Sequence, residues 1–358
     1  MPLCRLVCAP TRFTIDEERN NVTERHEKQF LNLPFTGIAS FAKYPICTDL
    51  EALDADVAII GAPYDMGTQW KGGARFGPRG IRDSSTLYSF GLGGSYDPEV
   101  DEMYLAPPWR IVDCGDVDMV HGDLAQCFEN IEAAVRKIVA RGAMPIVMGG
   151  DHSITIPVGR ALEDLGPFAA VQIDAHLDWA DHRSGQRYGH GSPMRRLSEM
   201  DHVKGMAQLG IRGIGSSKKE DFDAARAYGS VIMSPRQIRR VGVEHVMEQI
   251  PDAERYFVTI DIDGIDPSLA PGTGTPSPGG FSYDEANELL EALAKKGKIV
   301  GFDCVEVSPP YDLSGITSQV AARLILDFAG FIMKQREREG DADREATMEV
   351  EPGMRGHA

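Results

Sequence analysis

Residues 169–178 read AAVQIDAHLD. The stretch begins as an apolar run and ends with Asp174, His176 and Asp178 at alternating positions. A short, nearly continuous apolar run reads as a strand buried on both faces, the pattern of a parallel sheet. Side chains at i, i+2 and i+4 of an extended chain point the same way. The two acids and the imidazole are therefore expected on one face, at the carboxyl end of the strand. In open α/β sheets that end is where ligands bind.

Similar apolar runs recur at 56–63, 110–116, 144–152, 206–212, 230–234, 256–263 and 298–307. Helical patterns lie between them. Residues 127–143 carry a 3.6-residue apolar period and a stopping glycine, and 235–250 open on Pro235. In 282–297, Ser282 stands at an N-cap, Glu285 at the capping-box offset and Gly297 at the stop. Residues 317–337 are long and apolar, as in a helix docked on a sheet. Strands alternating with helices predict one doubly wound α/β domain over 53–337. An N-terminal arm, 1–52, precedes it. Residues 338–358 are charged and aperiodic and read as a disordered tail.

The composition narrows the function. The chain has 358 residues and a formal net charge of -17. That excess of acid argues against nucleic acid and against an anionic membrane, and suits a cationic or neutral small molecule. No stretch of 18 apolar residues reads as a membrane span. The first residues, MPLCRLVCAPTRF, lack the apolar core of a secretory signal. Six cysteines occur and none forms a CxxC pair, which fits free thiols in a reducing, cytoplasmic compartment.

Two other runs end as the first one does. MGGDHS puts His152 just after an apolar strand, and TIDIDGIDP puts Asp261 and Asp263 at i and i+2. Each stretch alone is compatible with an ordinary cap or turn. Three such strand ends together would offer four aspartates and two histidines to one pocket. Like charges about 4 Å apart repel by roughly 4 kcal/mol even at an effective dielectric near 20. Something positive must sit among them. Carboxylates with imidazoles suit two divalent cations of Mn²⁺ type or another intermediate metal.

At this point the sequence resembles the ureohydrolase family of arginases, agmatinases and related guanidino hydrolases. The motifs are GGDHS (149–153), DAHLD (174–178) and DIDGIDPSLAPGTGTPSPGG (261–280). The resemblance implies a three-layer α/β/α fold around an eight-stranded parallel sheet, in a homo-oligomer, trimer or hexamer. It implies two divalent metal ions per subunit, Mn²⁺ or Ni²⁺. His152, Asp174, Asp178 and Asp261 would hold one ion. Asp174, His176, Asp261 and Asp263 would hold the other, with Asp174 and Asp261 bridging. DCVEVSPPYD (303–312) resembles the family strand whose glutamate holds the guanidinium, which points to Glu306. GHGSPMRR (189–196) resembles the loop whose histidine lies near the leaving group, which points to His190. The implied reaction is hydrolysis of a guanidinium C–N bond by a metal-bridging hydroxide. Asp178 would pass a proton to the departing amine and His190 would relay protons with solvent. Urea or a substituted urea leaves with ammonia or an amine.

The residue after DAHLD is Trp179, where arginases and many agmatinases have a small or polar side chain. An indole there is expected to shorten the pocket. GTQW (67–70) adds Thr68 and Trp70 on a loop of the same face. The pattern is similar to the branch of the family acting on guanidine or N-alkylguanidines, some of it nickel-dependent. The expected substrate is a small cationic guanidino compound: guanidine, an N-alkylguanidine or a biguanide. Agmatinase activity, with a differently routed pocket, is the alternative. Formiminoglutamate hydrolysis and deacetylation on a similar fold fit less well. A non-catalytic subunit of a hetero-oligomer, and loading by a metallochaperone, stay open.

Overall fold

The computed structural model describes residues 33–349. Most of the N-terminal arm and residues 350–358 lie outside the described residues. Among the described residues ten strands occur: β1 Val57–Ala62, β2 Ser95–Asp97, β3 Glu102–Tyr104, β4 Ile111–Asp116, β5 Met144–Gly149, β6 Phe168–Ile173, β7 Val203–Leu209, β8 Val231–Met233, β9 Arg255–Asp261 and β10 Lys298–Val305. The short β2 and β3 form an antiparallel ribbon. The other eight form one sheet in the order β4-β1-β5-β10-β9-β6-β7-β8, with every neighbouring pair parallel. All eight apolar runs of the sequence are strands of this sheet.

Strand side chains alternate between two cores. Ile59, Ile146, Met148, Val171 and Ile173 enter one core. There they meet Leu289, Leu290 and Leu293 of the helix Tyr283–Lys296, and Leu324 and Phe328 of the helix Ile316–Glu349. Ala58, Ile60, Val147 and Ala170 enter the other, against Phe128, Ile131, Val135 and Ile138 of the helix Leu124–Ala140. The result is three layers, helix on sheet on helix, as the resemblance implied. Ser282 and Glu285 form the reciprocal capping box that starts Tyr283–Lys296.

Two helical expectations change. The segment 235–250 is two helices, Pro235–Val241 and Val243–Gln249. Gly242 separates them with φ 84, a conformation that ends a helix and that glycine adopts without penalty. The last helix continues to Glu349, past the point where an irregular tail was expected. Gly340 costs only about 1 kcal/mol in a helix interior, and the Ala, Glu and Arg around it are helix formers. The Ile316–Gly340 part is long and apolar enough to cross a membrane, but most of it is buried in the first core.

Candidate active site

The sheet order brings the motifs together. β5, β10, β9 and β6 are successive neighbours at the centre of the sheet. His152 follows β5 and Glu306 follows β10. Asp261 ends β9 and Asp263 lies in the turn after it. Asp174, His176 and Asp178 follow β6. The expected extended face does not hold, because β6 stops at Ile173 and the acids lie in the loop beyond. Asp178 and Glu306 instead take left-handed backbone, with φ 52 and φ 63. Such conformations cost a non-glycine residue of order 1–3 kcal/mol and concentrate at functional sites.

Around His152, Nδ1 lies 3.1 Å from Asp174 Oδ2, 2.9 Å from Asp178 Oδ2 and 3.2 Å from Asp261 Oδ2. Around His176, Nδ1 lies 3.0 Å from Asp263 Oδ2 and 3.5 Å from Asp174 Oδ1. Two candidate ligand sets result, His152–Asp174–Asp261 and Asp174–His176–Asp263. Asp174 belongs to both. Asp261, expected as a second bridge, joins only the first set, and its Oδ1 accepts the Asp263 N–H at 2.9 Å.

These residues fit a cation pair. His152 Nε2 lies 2.9 Å from Thr259 Oγ1, while its buried Nδ1 makes no hydrogen bond of sound geometry. A ring nitrogen within 3.2 Å of three carboxylate oxygens, with no hydrogen bond of sound geometry to any of them, fits a ligand position. The far nitrogen, held by the hydroxyl, sets the tautomer. Without a cation the cluster is strained electrostatically. Burial and the neighbouring acids Asp263 and Asp174 push the Asp261 carboxyl well above the usual range. Burial and Asp174 raise Asp178 likewise. Burial opposes charge on His176, yet Asp263 and Asp174 outweigh it and push the ring up to about 12. A histidine coordinates only when deprotonated, so loading the site releases protons.

Beside the cluster opens a cavity of about 220 Å³, lined by Gln69, Trp70, Arg183, His190, Thr275 and Glu306 together with His176, Asp178 and Asp261. Glu306 Oε1 accepts from the His152 backbone N–H at 2.9 Å and lies 3.0 Å from His190 Nδ1. Its Oε2 takes no hydrogen bond from the described residues. Burial opposes the charge on Glu306, but His190 outweighs it and keeps the carboxyl below its usual range. The same pairing, against burial, pushes His190 up to about 9. Asp151 ties this wall to the loop after β1, since its Oδ2 accepts the Gly67 N–H at 2.7 Å. A Cβ on Gly67 would come within 2.9 Å of that oxygen, so the contact requires glycine.

Trp179 does not wall the pocket. It is 1% exposed and packs in the second core, its ring 5.6 Å from that of Tyr228. Thr68 is also off the cavity wall, its hydroxyl buried without a hydrogen-bond partner among the described residues. Its neighbours Gln69 and Trp70 take the place expected for it, and Trp70 is 69% exposed. Arg183 and Thr275 were not singled out in the sequence. Nor were Gln172 and Thr259, which stand two residues before Asp174 and Asp261. That spacing, a polar side chain inside an apolar run at i-2 from a ligand, was the signal available.

The sequence pattern that defines the arginase family matches residues 55–330. The chain belongs to the arginase family. The guanidinobutyrase of Pseudomonas aeruginosa is 35% identical over 82% of this chain and 92% of its own. The mitochondrial agmatinase of Gallus gallus is 35% identical over 81% and 84%. Among solved structures, the proclavaminate amidino hydrolase of Streptomyces clavuligerus superposes with a TM-score of 0.72 at 32% identity, covering 84% of this chain and all of that one. The formiminoglutamase of Trypanosoma cruzi, solved with Mn²⁺, superposes with a TM-score of 0.69 at 27% identity, over 78% and 93%. As an arginase-family hydrolase the chain acts on carbon–nitrogen bonds of guanidino compounds.

Proposed function

We propose that this hydrolase cleaves a small guanidino compound, namely guanidine, an N-alkylguanidine or a biguanide. The products are urea or a substituted urea and ammonia or an amine. The carrying observation is Glu306: a buried, ionised carboxylate on the cavity wall, with Oε2 left for a donor. A guanidinium supplies paired N–H donors in the geometry a carboxylate accepts, as charge-assisted hydrogen bonds. The cavity at Glu306, about 220 Å³, has room for a small guanidino compound, and Gln69, Arg183 and Ser216 join it to a wider cleft of about 700 Å³.

His152, Asp174, Asp178 and Asp261, with His176 and Asp263, would hold the cations. When bound, two divalent ions supply Lewis acidity and lower the pKa of a coordinated water to near neutrality. The chain's own residues do the rest. Glu306 orients the guanidinium carbon toward the cluster. Asp178, which lines the cavity beside the cluster, can carry a proton to the departing amine. His190 lines the cavity and exchanges protons with solvent.

Agmatine hydrolysis is the second reading. It is favoured by the turn of Trp179 into the core, which removes the block expected against a longer tail. Urea, ammonia and amine release from protein loaded separately with Mn²⁺ and Ni²⁺ tests both. The panel is guanidine, methylguanidine, dimethylguanidine, a biguanide, 4-guanidinobutyrate, agmatine and arginine. Preference for the short compounds supports the first reading, and preference for agmatine the second. No turnover of any of them would overturn both.

A further inference from the structure

Arg183 lines the cavity and is half-buried. A Cβ on Gly191 would sit 3.4 Å from its Nε and 3.7 Å from its guanidinium carbon. The guanidinium therefore lies within ordinary contact distance of the segment that carries His190. The other arginines of this region are paired. Arg187 and Arg196 both bridge Asp181 and Glu199. Among the described residues, the Arg183 side chain has no carboxylate within ion-pair distance and no hydrogen-bond acceptor. An arginine cannot shed its charge. It is a fixed, locally unpaired cation in the lining of the cavity that Glu306 also lines.

Arg183 also lines the adjoining cleft of about 700 Å³, so the tail of a guanidino substrate seated on Glu306 would pass it on leaving the cavity by that route. A carboxylate on the tail would find in Arg183 a planar, five-donor partner, the match for bidentate pairing. A neutral tail meets no penalty. A second cation meets like charge in a half-desolvated wall, where repulsion is several-fold stronger than in water. We propose that Arg183 is a specificity-determining residue that reads the charge of the substrate's tail, favouring a carboxylate and excluding a second cation. This rests on the guanidino hydrolase reading and names, within it, the charge class of substrate.

The test compares 4-guanidinobutyrate with agmatine, which share a guanidinium and a four-carbon tail and differ in the terminal charge. The metal-loaded wild type, Arg183→Met and Arg183→Lys are assayed for kcat/KM on each. Binding of each compound is followed in parallel as ligand-induced thermal stabilisation. The wild type is expected to favour guanidinobutyrate. Arg183→Met is expected to shift the ratio toward agmatine by about tenfold or more, and Arg183→Lys to keep the wild-type order. Raised salt should shrink the wild-type preference and leave Arg183→Met little changed. An unchanged ratio in Arg183→Met overturns the proposal. If the wild type turned over neither compound nor any other guanidine, the hydrolase reading itself would fail. The thermal shifts would still decide Arg183, since equal discrimination by wild type and Arg183→Met removes its role.

Discussion

Gln172 Nε2 lies 2.5 Å from Asp174 Oδ2, on the carboxylate shared by both candidate ligand sets. The amide is itself held. Gln208 Nε2 donates to Gln172 Oε1 at 2.6 Å, and Ser230 Oγ donates to Gln208 Oε1 at 3.0 Å. Both glutamines are fully buried. Every bond in the chain points its donor toward Asp174, so the carboxylate is oriented without an added charge. Losing an outer partner of this kind typically costs 10–100-fold in metal affinity. Gln172→Leu is therefore expected to weaken Mn²⁺ binding by about that factor. Calorimetric titration checks it, and unchanged affinity would remove Gln172 from the positioning role.

Metal loading should be visible in stability alone. Divalent ion at about 100 times its Kd adds roughly 2.7 kcal/mol to a fold that binds only when native. Wild type is expected to melt at higher temperature with Mn²⁺ or Ni²⁺, and to lose the gain with chelator. Asp174→Asn and His152→Ala should show little or no gain. A full gain in either variant would mean that the ions bind elsewhere.

His190 and Glu306 define a pH dependence of the metal-free protein. The folded ring titrates at about 9, above its ordinary value near 6.5. The sign follows from the raised value. Stability from the pair is fully present below about 6.5, and is lost as pH rises through about 9. NMR titration of His190 in chelator-treated protein should show the raised midpoint, and Glu306→Gln should bring it down. The same substitution is expected to lower kcat/KM by about 10²-fold, because it leaves a charged substrate without its partner. A midpoint unmoved by Glu306→Gln would assign the shift to another group.

The two tryptophans separate stability from binding. Trp179→Ala empties a fully buried site and is expected to cost about 3–5 kcal/mol, with no change in preference between short and long substrates. Trp70→Ala is exposed and should stay within about 0.5 kcal/mol in stability while raising KM. Urea denaturation and substrate kinetics read both. A shift of substrate preference with Trp179→Ala would return the indole to the pocket.

The eight strands, the capping box at Ser282 and the choice of Asp174, Asp178, Asp261, Asp263, His152 and His176 as the charged groups at strand ends were legible in the residues themselves. Strand runs and capping boxes are local patterns, and carboxylates at the ends of apolar strands have few other uses. The sheet order was not legible, because it depends on which strands pair across long separations. That order is what puts His152, Glu306, Asp261 and Asp174 side by side. Nor could local pattern tell which aromatic would line the cavity. Asp178 takes φ 52, which turns the chain so that the next side chain, Trp179, leaves on the side of Tyr228 and the second core. The exposed Trp70 and the unpaired Arg183 come to the cavity wall instead, from loops at distant positions in the chain. The sequence by itself thus determined the elements and the chemistry of the cluster. Only the tertiary structure decided which side chains surround the substrate, because a loop residue's direction is set by backbone turns and packing partners far from it in sequence.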